Sequence, residues 1–438
     1  MILQISPSQS DKTNAIRDAL NRVEQRGGGT VRLLPGLHLS ASLRLPSGLT
    51  LEICEGATLK ALPRLEAMEA VRSPVASRMD VVPWRCFLYA IEARKLTICG
   101  GGTIDGSGDA ECFRDGIENS PNRPYGFHCI GCHDVSVNSI QWRNSGFWMQ
   151  RYFNCSKVRI SGITVFNHAN KNNDGLDIDS CKDVVVEDSD IDSSDDALCI
   201  KSEGQAPAEN IWVRRCRLSS HASAIKLGTG SIGGFRAIEF EDCQIVPSKA
   251  EEMHHPLGLP GGLSAIDLAV VDGGRMENIH IQNIEMEGSQ NPIFLRLGLR
   301  GSRSVALQGY GDGEDALQGV RSGTTDIAPS KSSIESITFE NIRGKNLGPY
   351  PIILCGCPGH PLRNIILRDI DLHFSRAGNT NDLKAPKEWN DKGYPMAAMF
   401  GTHLPAYGLF TRCIENLRQE GLRLHPAESE PRQPEGNL

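Results

Sequence analysis

The sequence predicts an all-β protein, a right-handed parallel β-helix closed at its start by a helix. Three observations carry this. From Asp134 onward short strands recur with one opening, a lead residue followed by alternating apolar positions. They are Asp134-Val-Ser-Val, Lys157-Val-Arg-Ile, Asp183-Val-Val-Val, Asn210-Ile-Trp-Val, Ala237-Ile-Glu-Phe, Asn278-Ile-His-Ile, Ser336-Ile-Thr-Phe and Asn364-Ile-Ile-Leu. The first apolar residue of each falls at 135, 158, 184, 211, 238, 279, 337 and 365, giving steps of 23, 26, 27, 27, 41, 58 and 28. A near-constant step is the mark of a solenoid, in which each turn packs only on its neighbours. Finally, no helical periodicity lies between the strands, which excludes alternating β/α units, and neither hairpin turns nor blade-length periods favour a sandwich or a propeller.

Each element follows in order. Ser10-Asp11 before Thr13, Ile16, Ala19, Leu20 and Val23 reads as a capped amphipathic helix ending at Gly27-Gly28-Gly29. Such a helix covers the core edge that the first turn of a solenoid exposes. Thr30-Val-Arg-Leu-Leu opens the first strand, Leu49–Ile53 and Leu96–Ile98 continue the series, and the glycine-rich Gly100–Gly106 forms a tight corner. The steps of 41 and 58 hold extra loops, Pro247–Gly262 and Arg300–Ser333, and the longer one also hides a coil at Pro292–Leu297. The expected organisation is a single β-helix domain over 1–438. It has a helical cap over 1–30, coils over 30–415 with insertions near 247–262, 300–333 and 377–394, and a tail over 416–438.

Composition narrows the function. The chain has 438 residues, 39% hydrophobic and 6% aromatic, with 45 glycines and a formal net charge of -7. That balance, without a basic run, argues against a nucleic-acid partner. No stretch reaches the roughly 18 apolar residues of a membrane span. Met1-Ile-Leu-Gln-Ile-Ser-Pro lacks the basic-then-apolar pattern of a secretion signal, so the expected location is the cytoplasm, with the 14 cysteines reduced. Cys155 and Cys181 sit three residues before the first apolar position of their turns, and Cys216 and Cys243 five after it, which predicts internal ladders. Cys355-Gly-Cys357 and the scattered histidines lack zinc-ligand spacing, so neither metal nor cofactor is expected.

The chemistry concentrates between Asn172 and Lys201. Asp174, Asp177 and Asp179 form one acidic cluster and Asp195 with Asp196 a second, on either side of an alternating strand. Asp174 and Asp196 are 22 residues apart, about one turn, so both clusters stack at one corner. Carboxylates brought together repel, which raises at least one pKa and divides the set into an acid and a base. That division suits glycosidic bond hydrolysis.

These residues also carry a resemblance. Asn172-Asn173-Asp174-Gly-Leu-Asp177 followed by Ser194-Asp195-Asp196-Ala-Leu-Cys-Ile-Lys201 is similar to glycoside hydrolase family 28, the polygalacturonase family. The likeness extends to Arg123-Pro-Tyr125, Asn144-Ser-Gly-Phe-Trp148, Met399-Phe-Gly and Leu404-Pro-Ala-Tyr-Gly408. It implies a right-handed β-helix and single-displacement, inverting hydrolysis, with Asp195 as general acid and Asp174 with Asp196 activating water. Asn172, Asp177, Lys201, His221, Lys226 and Arg296 are the expected substrate-binding residues.

Two departures qualify the resemblance. The family's Gly-His-Gly and Ser-Ile-Gly are met here by Ser219-Ser-His221-Ala-Ser-Ala-Ile-Lys226-Leu-Gly228, with His221 displaced by two residues and Lys226 in place of the serine. The family's Arg-Ile-Lys, which grips a uronate carboxylate, falls near Leu263–Ala269, where no basic residue stands. Lys201, Lys226 and Arg296 are the expected replacements. The resulting expectation is an exo-acting galacturonosidase trimming pectin-type oligosaccharides. The alternatives are hydrolysis of a neutral pectic linkage of the rhamnosidase type, a calcium-dependent polysaccharide lyase, and a glycan-binding β-helix without turnover.

Overall fold

A computed structural model describes residues 1–114, 120–300, 332–384, 391 and 394–437. Most of the insertion expected over 300–333, and part of that over 377–394, therefore lie outside the described residues. The described strands wind into a right-handed parallel β-helix of two sheets, one with 22 strands and one with 13. Every described strand pairing in them is parallel except that of Glu69–Val71 with Trp84–Ile91.

The repeat seen in the sequence is the spine of the larger sheet. Val135 pairs with Val158, Val158 with Val184, and the series runs on through Ile211, Ile238, Ile279 and Ile337 to Ile365. All are at most 2% exposed. The column is thus a continuous apolar ladder, and its burial is the main stabilising contribution of each coil, about 1.5–3 kcal/mol per side chain. The lead residue of every unit adopts a left-handed backbone, with φ between 51° and 63° at Asp134, Lys157, Asp183, Asn210, Ala237, Asn278, Ser336 and Asn364. Five of these eight are Asp or Asn, whose short polar side chains tolerate that region best. The turn geometry therefore selects the residue type that marks the repeat.

The helix Thr13–Gln25 buries Thr13, Ile16, Ala19, Leu20 and Val23, the predicted apolar stripe. The expected Ser10-Asp11 cap is corrected: Lys12 is the N-cap and its side chain caps nothing, while Asp11, one residue earlier, accepts from the Thr13 backbone N–H at 2.8 Å. The expected cap over 1–30 is more than a helix. Ile2–Ile5 and Ser8–Asp11 are strands that pair with Gly29–Leu33 and Gly36–Ser40, so the chain begins with a coil of its own. The expected tail over 416–438 is likewise corrected: Ile414–Glu420, Arg423–His425 and Gln433–Asn437 continue the two sheets. The hidden coil is present as Asn291–Leu297, paired on both sides.

Thiols lace the coils together. Cys132, Cys155 and Cys181 each accept through Sγ from a backbone N–H one turn earlier, those of Ala93, Cys132 and Cys155, at 3.2–3.4 Å. Among the described residues no helix is long and apolar enough to cross a membrane.

The smaller sheet positions the site. Its order follows the chain through Gln150–Phe153, Leu176–Asp179, Leu198–Ser202, Ser223–Ser231, Ser264–Val270 and Asn291–Leu297. Leu176, Ile178, Leu198, Ile200, Ile225 and Leu227 point into the core. The alternate residues share the outer face, as the two-residue period of a strand requires. Asp177, Cys199, Lys226 and Asp267 stand in one column and Asp179 with Lys201 in another.

Candidate active site

The corner before Leu176–Asp179 and the corner before Leu198–Ser202 lie one above the other. The Gly175 N–H donates to Asp196 O at 2.9 Å and the Asp195 N–H to Asn173 O at 3.3 Å. Gly175 is required there, because a Cβ would lie 2.4 Å from Ile191 Cγ2 and 2.7 Å from Ala197 O. Buried amides fix the first corner. Asn173 Nδ2 donates to Ser145 O and Phe147 O at 3.0 and 2.7 Å, and Asn167 Nδ2 to Asp174 O at 3.0 Å. At the second corner Ser193 Oγ donates to Asp195 O at 2.9 Å, and Ser220 Oγ holds the same carbonyl.

These corners open on a cleft lined by Trp148, Asn172, Asp174, Asp195, Asp196, Lys201 and Lys226, with Arg78, Glu203, Thr229 and Tyr394 at its sides. Its free volume is about 130 Å³. Lys201 Nζ lies 3.1 Å from Asp174 Oδ2, contacts Asp177 Oδ1 and sits 4.1 Å from the centroid of the Trp148 ring. Lys226 Nζ lies 3.2 Å from Asp196 Oδ2 and 3.7 Å from Asp267 Oδ2. Asp195 differs from its neighbours. Its described partners are Asn172 Nδ2 at 3.3 Å and the Asp196 N–H at 3.1 Å, and among the described residues no ammonium or guanidinium comes within 4 Å. Asn172 is itself held by Arg123 Nη2 at 2.7 Å, which explains why Arg123 belongs to the motif.

Burial pushes Asp174, Asp177 and Asp195 up from the ordinary carboxylate range, Asp177 to about 6. Lys201 pulls Asp174 and Asp177 back, while the Asp196 charge raises Asp195 further. Such a set titrates as a unit. Four carboxylates face two lysines here; Asp195 is the one with no ammonium within 4 Å, while burial drives Asp174 well above its ordinary value despite Lys201. The arrangement is that of one carboxylate free of lysine contact beside three that have one.

Six expected site residues thus line the cleft, Asn172, Asp174, Asp195, Asp196, Lys201 and Lys226, and Asp177, fully buried, touches it only through Lys201. Two do neither. His221 is fully buried with its ring 4.9 Å from that of His168, which bonds Asp192 at 2.9 Å, so it faces away from the cleft. Arg296 is 1% exposed and spends its guanidinium on Asp391 Oδ1 at 2.6 Å and Gly356 O at 3.3 Å. Asp179 is also withdrawn, clasped by Arg151 at 2.6 Å. In turn, Arg78, Glu203, Asp267, His255 and Tyr394 escaped the sequence reading. Asp267 was findable as the one charged residue in Leu263–Ala269, the stretch searched for a base. His255, in the insertion at 247–262, lies close enough to lower the Asp195 pKa.

Comparison with known proteins identifies the family. Residues 75–298, about half of the chain, match the model of glycosyl hydrolases family 28. The chain belongs to that family. It is 25% identical over 301 residues to a probable polygalacturonase of Vitis vinifera, covering 65% of this chain and 59% of that protein. It is 25% identical over 212 residues to exopolygalacturonase X-1 of Emericella nidulans, covering 44% and 48%. The chain thus spans about half to six tenths of the length of these family 28 relatives. Among solved structures, an exopolygalacturonase from Thermotoga maritima superimposes with a TM-score of 0.67 at 18% identity, covering 96% of this chain and 92% of that one, a likeness of fold.

Proposed function

We propose that this family 28 protein hydrolyses a glycosidic bond of pectic oligosaccharides with inversion, acting from a chain end. Asp195 protonates the leaving oxygen, and Asp174 with Asp196 orient and deprotonate the attacking water. The observation that carries the reading is the division of the corner carboxylates: Asp174, Asp177 and Asp196 contact lysines, while Asp195 has none within reach among the described residues. A neighbouring ammonium favours the ionised form that a base needs, and a carboxylate without one beside another negative charge favours the protonated form that an acid needs. The likeness to an exopolygalacturonase supports attack from a chain end.

A second reading, that the bound sugar is neutral rather than a uronate, is favoured by one observation. Each described cation lining the cleft is engaged by carboxylates: Lys201 by Asp174 and Asp177, Lys226 by Asp196 and Asp267, and Arg78 by Glu203 at 2.7 Å. A uronate would have to compete for one of them. Oligogalacturonides and rhamnose-terminated pectic fragments, incubated in parallel with products read by mass, separate the readings. One sugar lost per step supports exo attack, and its mass identifies the sugar. Failure to cleave both sets would refute pectic hydrolysis, and a product carrying an ultraviolet-absorbing double bond would establish a lyase.

A further inference from the structure

A second cluster of chemically capable side chains lies on the outer face of the larger sheet, near the C-terminal end of the β-helix. Asp371 and His373 stand on the strand Leu362–Phe374, on either side of the buried Leu372, so the two-residue period turns both outward. The parallel pairing that sets Leu372 beside Leu424 also sets His373 beside His425 in the next coil. The two imidazoles stack with centroids 4.0 Å apart and planes inclined by 5°. Motif spacing could not disclose this, because Asp371 and His425 are 54 residues apart and meet only across coils.

Three ligand atoms converge there. His373 Nε2 lies 3.2 Å and His425 Nε2 3.1 Å from the same oxygen, Asp371 Oδ1, and one ligand atom of each residue falls within 4.8 Å of the other two. An ion bound to imidazole nitrogen and carboxylate oxygen at about 2.0–2.2 Å holds such atoms about 3.4 Å apart along a tetrahedral edge, close to the spacing already present. The other carboxylate oxygen, Oδ2, accepts from Arg423 Nε at 2.9 Å, which fixes the carboxylate plane as outer hydrogen bonds fix metal ligands. That hydrogen bond also holds the Asp371 carboxyl below its ordinary value, so it is an anion at neutral pH. Neighbouring cations have other anchors: Arg343 Nη1 donates to Asp369 O at 2.6 Å, and Lys345 pairs with Glu287 at 3.2 Å. Both histidines are exposed, and a groove beside Asp371 and His373 leaves room for water.

We propose that Asp371, His373 and His425 form a binding site for a divalent transition ion of the zinc class, with water completing its shell. Two imidazoles and one carboxylate are donors that such ions accept, whereas calcium and magnesium take oxygen alone. The site is independent of the cleft, which belongs to the smaller sheet, and its role is mechanical. Arg423–His425 is a strand of only three residues, docked on Leu362–Phe374. An ion shared by His425, Asp371 and His373 ties this short terminal strand to the coil before it.

The test is calorimetric titration of zinc chloride into the chelator-stripped full chain. Hydrogen exchange at Arg423–His425, with and without zinc, is read alongside it, and circular dichroism checks the fold. Zinc is expected to bind at one equivalent and to slow exchange of the Leu424 and His425 amides. His373→Ala and His425→Ala are each expected to weaken binding by roughly tenfold or more and to remove the zinc-dependent slowing. Asp371→Asn, which keeps the shape but not the charge, is expected to weaken binding on the same scale. Should His425→Ala loosen the strand even without zinc, His425→Gln replaces it with the same expected loss. A dissociation constant weaker than about 1 mM for the unaltered protein overturns the proposal. So does binding of unchanged affinity in the histidine variants, which would place the ion elsewhere, as on the buried thiols of Cys129, Cys132 and Cys155. Loss in only one histidine variant overturns the two-imidazole arrangement, and tight binding without slowed exchange overturns the mechanical role.

Discussion

Replacing Lys201 by Met removes one charge from between two carboxylates and leaves the aliphatic stem beside Trp148. The ammonium is 3.1 Å from Asp174, and at an effective dielectric of about 20 that single attraction amounts to about 5 kcal/mol before desolvation is counted. Breaking a buried pair by removing one partner typically costs about 3–5 kcal/mol. A second effect limits the loss. Asp177 titrates at about 6 even beside the ammonium, so holding it protonated at pH 7 costs at most about 1.4 kcal/mol once Lys201 is gone. The cheaper route wins, so the variant takes up protons and loses about 3 kcal/mol at neutral pH, the low end of the range. The sign of the pH dependence follows. Without Lys201 the folded-state pKa values of Asp174 and Asp177 move further above the unfolded value, and such groups lose stability as pH rises toward the folded pKa. The deficit should therefore be small near pH 4–5 and grow through pH 6–8. Activity should move the opposite way, recovering as pH rises and the Asp174 base is re-ionised. Urea unfolding and kcat/KM measured from pH 5 to 8 provide the test. A deficit that is constant across this range, or largest in acid, refutes the assignment of Lys201 as the counter-charge of the base.

Further outcomes follow from the same charges. Asp195→Asn should keep the fold, since Asp195 has no described ion-pair partner to lose, while turnover falls by about 10²–10⁴-fold; retention of more than about a tenth of the activity excludes it as the general acid. Lys226→Met removes a positive charge that lowers the Asp195 pKa, so the alkaline limb of kcat/KM should shift to higher pH as the acid keeps its proton longer; a shift to lower pH contradicts the arrangement.

What the sequence disclosed depended on whether the partners were local. The ladder from Val135 to Ile365 was legible because each coil repeats the same left-handed turn and the same apolar column. The corner carboxylates were legible because both motifs sit within one turn of each other. The end coils were not. Ile2–Ile5 and Ser8–Asp11 are four-residue strands ahead of the helix, too short to show a period. Ile414–Glu420 is mostly exposed, since no described coil lies beyond it to require an apolar face, and so it resembles a polar tail. At the site, Arg296 read as a free cation because its partner, Asp391, is 95 residues away across an insertion without periodicity. Arg78 and Glu203, 125 residues apart, were hidden for the same reason. His221 was drawn to the cleft by the family's Gly-His-Gly, from which it is displaced by two residues, whereas its ring turns toward His168.

The central claim is that Asp195 acts as acid while Asp174 and Asp196 work on a water across the sugar from it. Proton NMR of the anomeric region, recorded within the first minutes of cleavage before mutarotation, tests it most directly. The account predicts that the newly released reducing end first appears with the anomeric configuration opposite to that of the bond cleaved, because the water attacks in a single displacement. Initial product with the original configuration would require a covalent glycosyl intermediate and would contradict it.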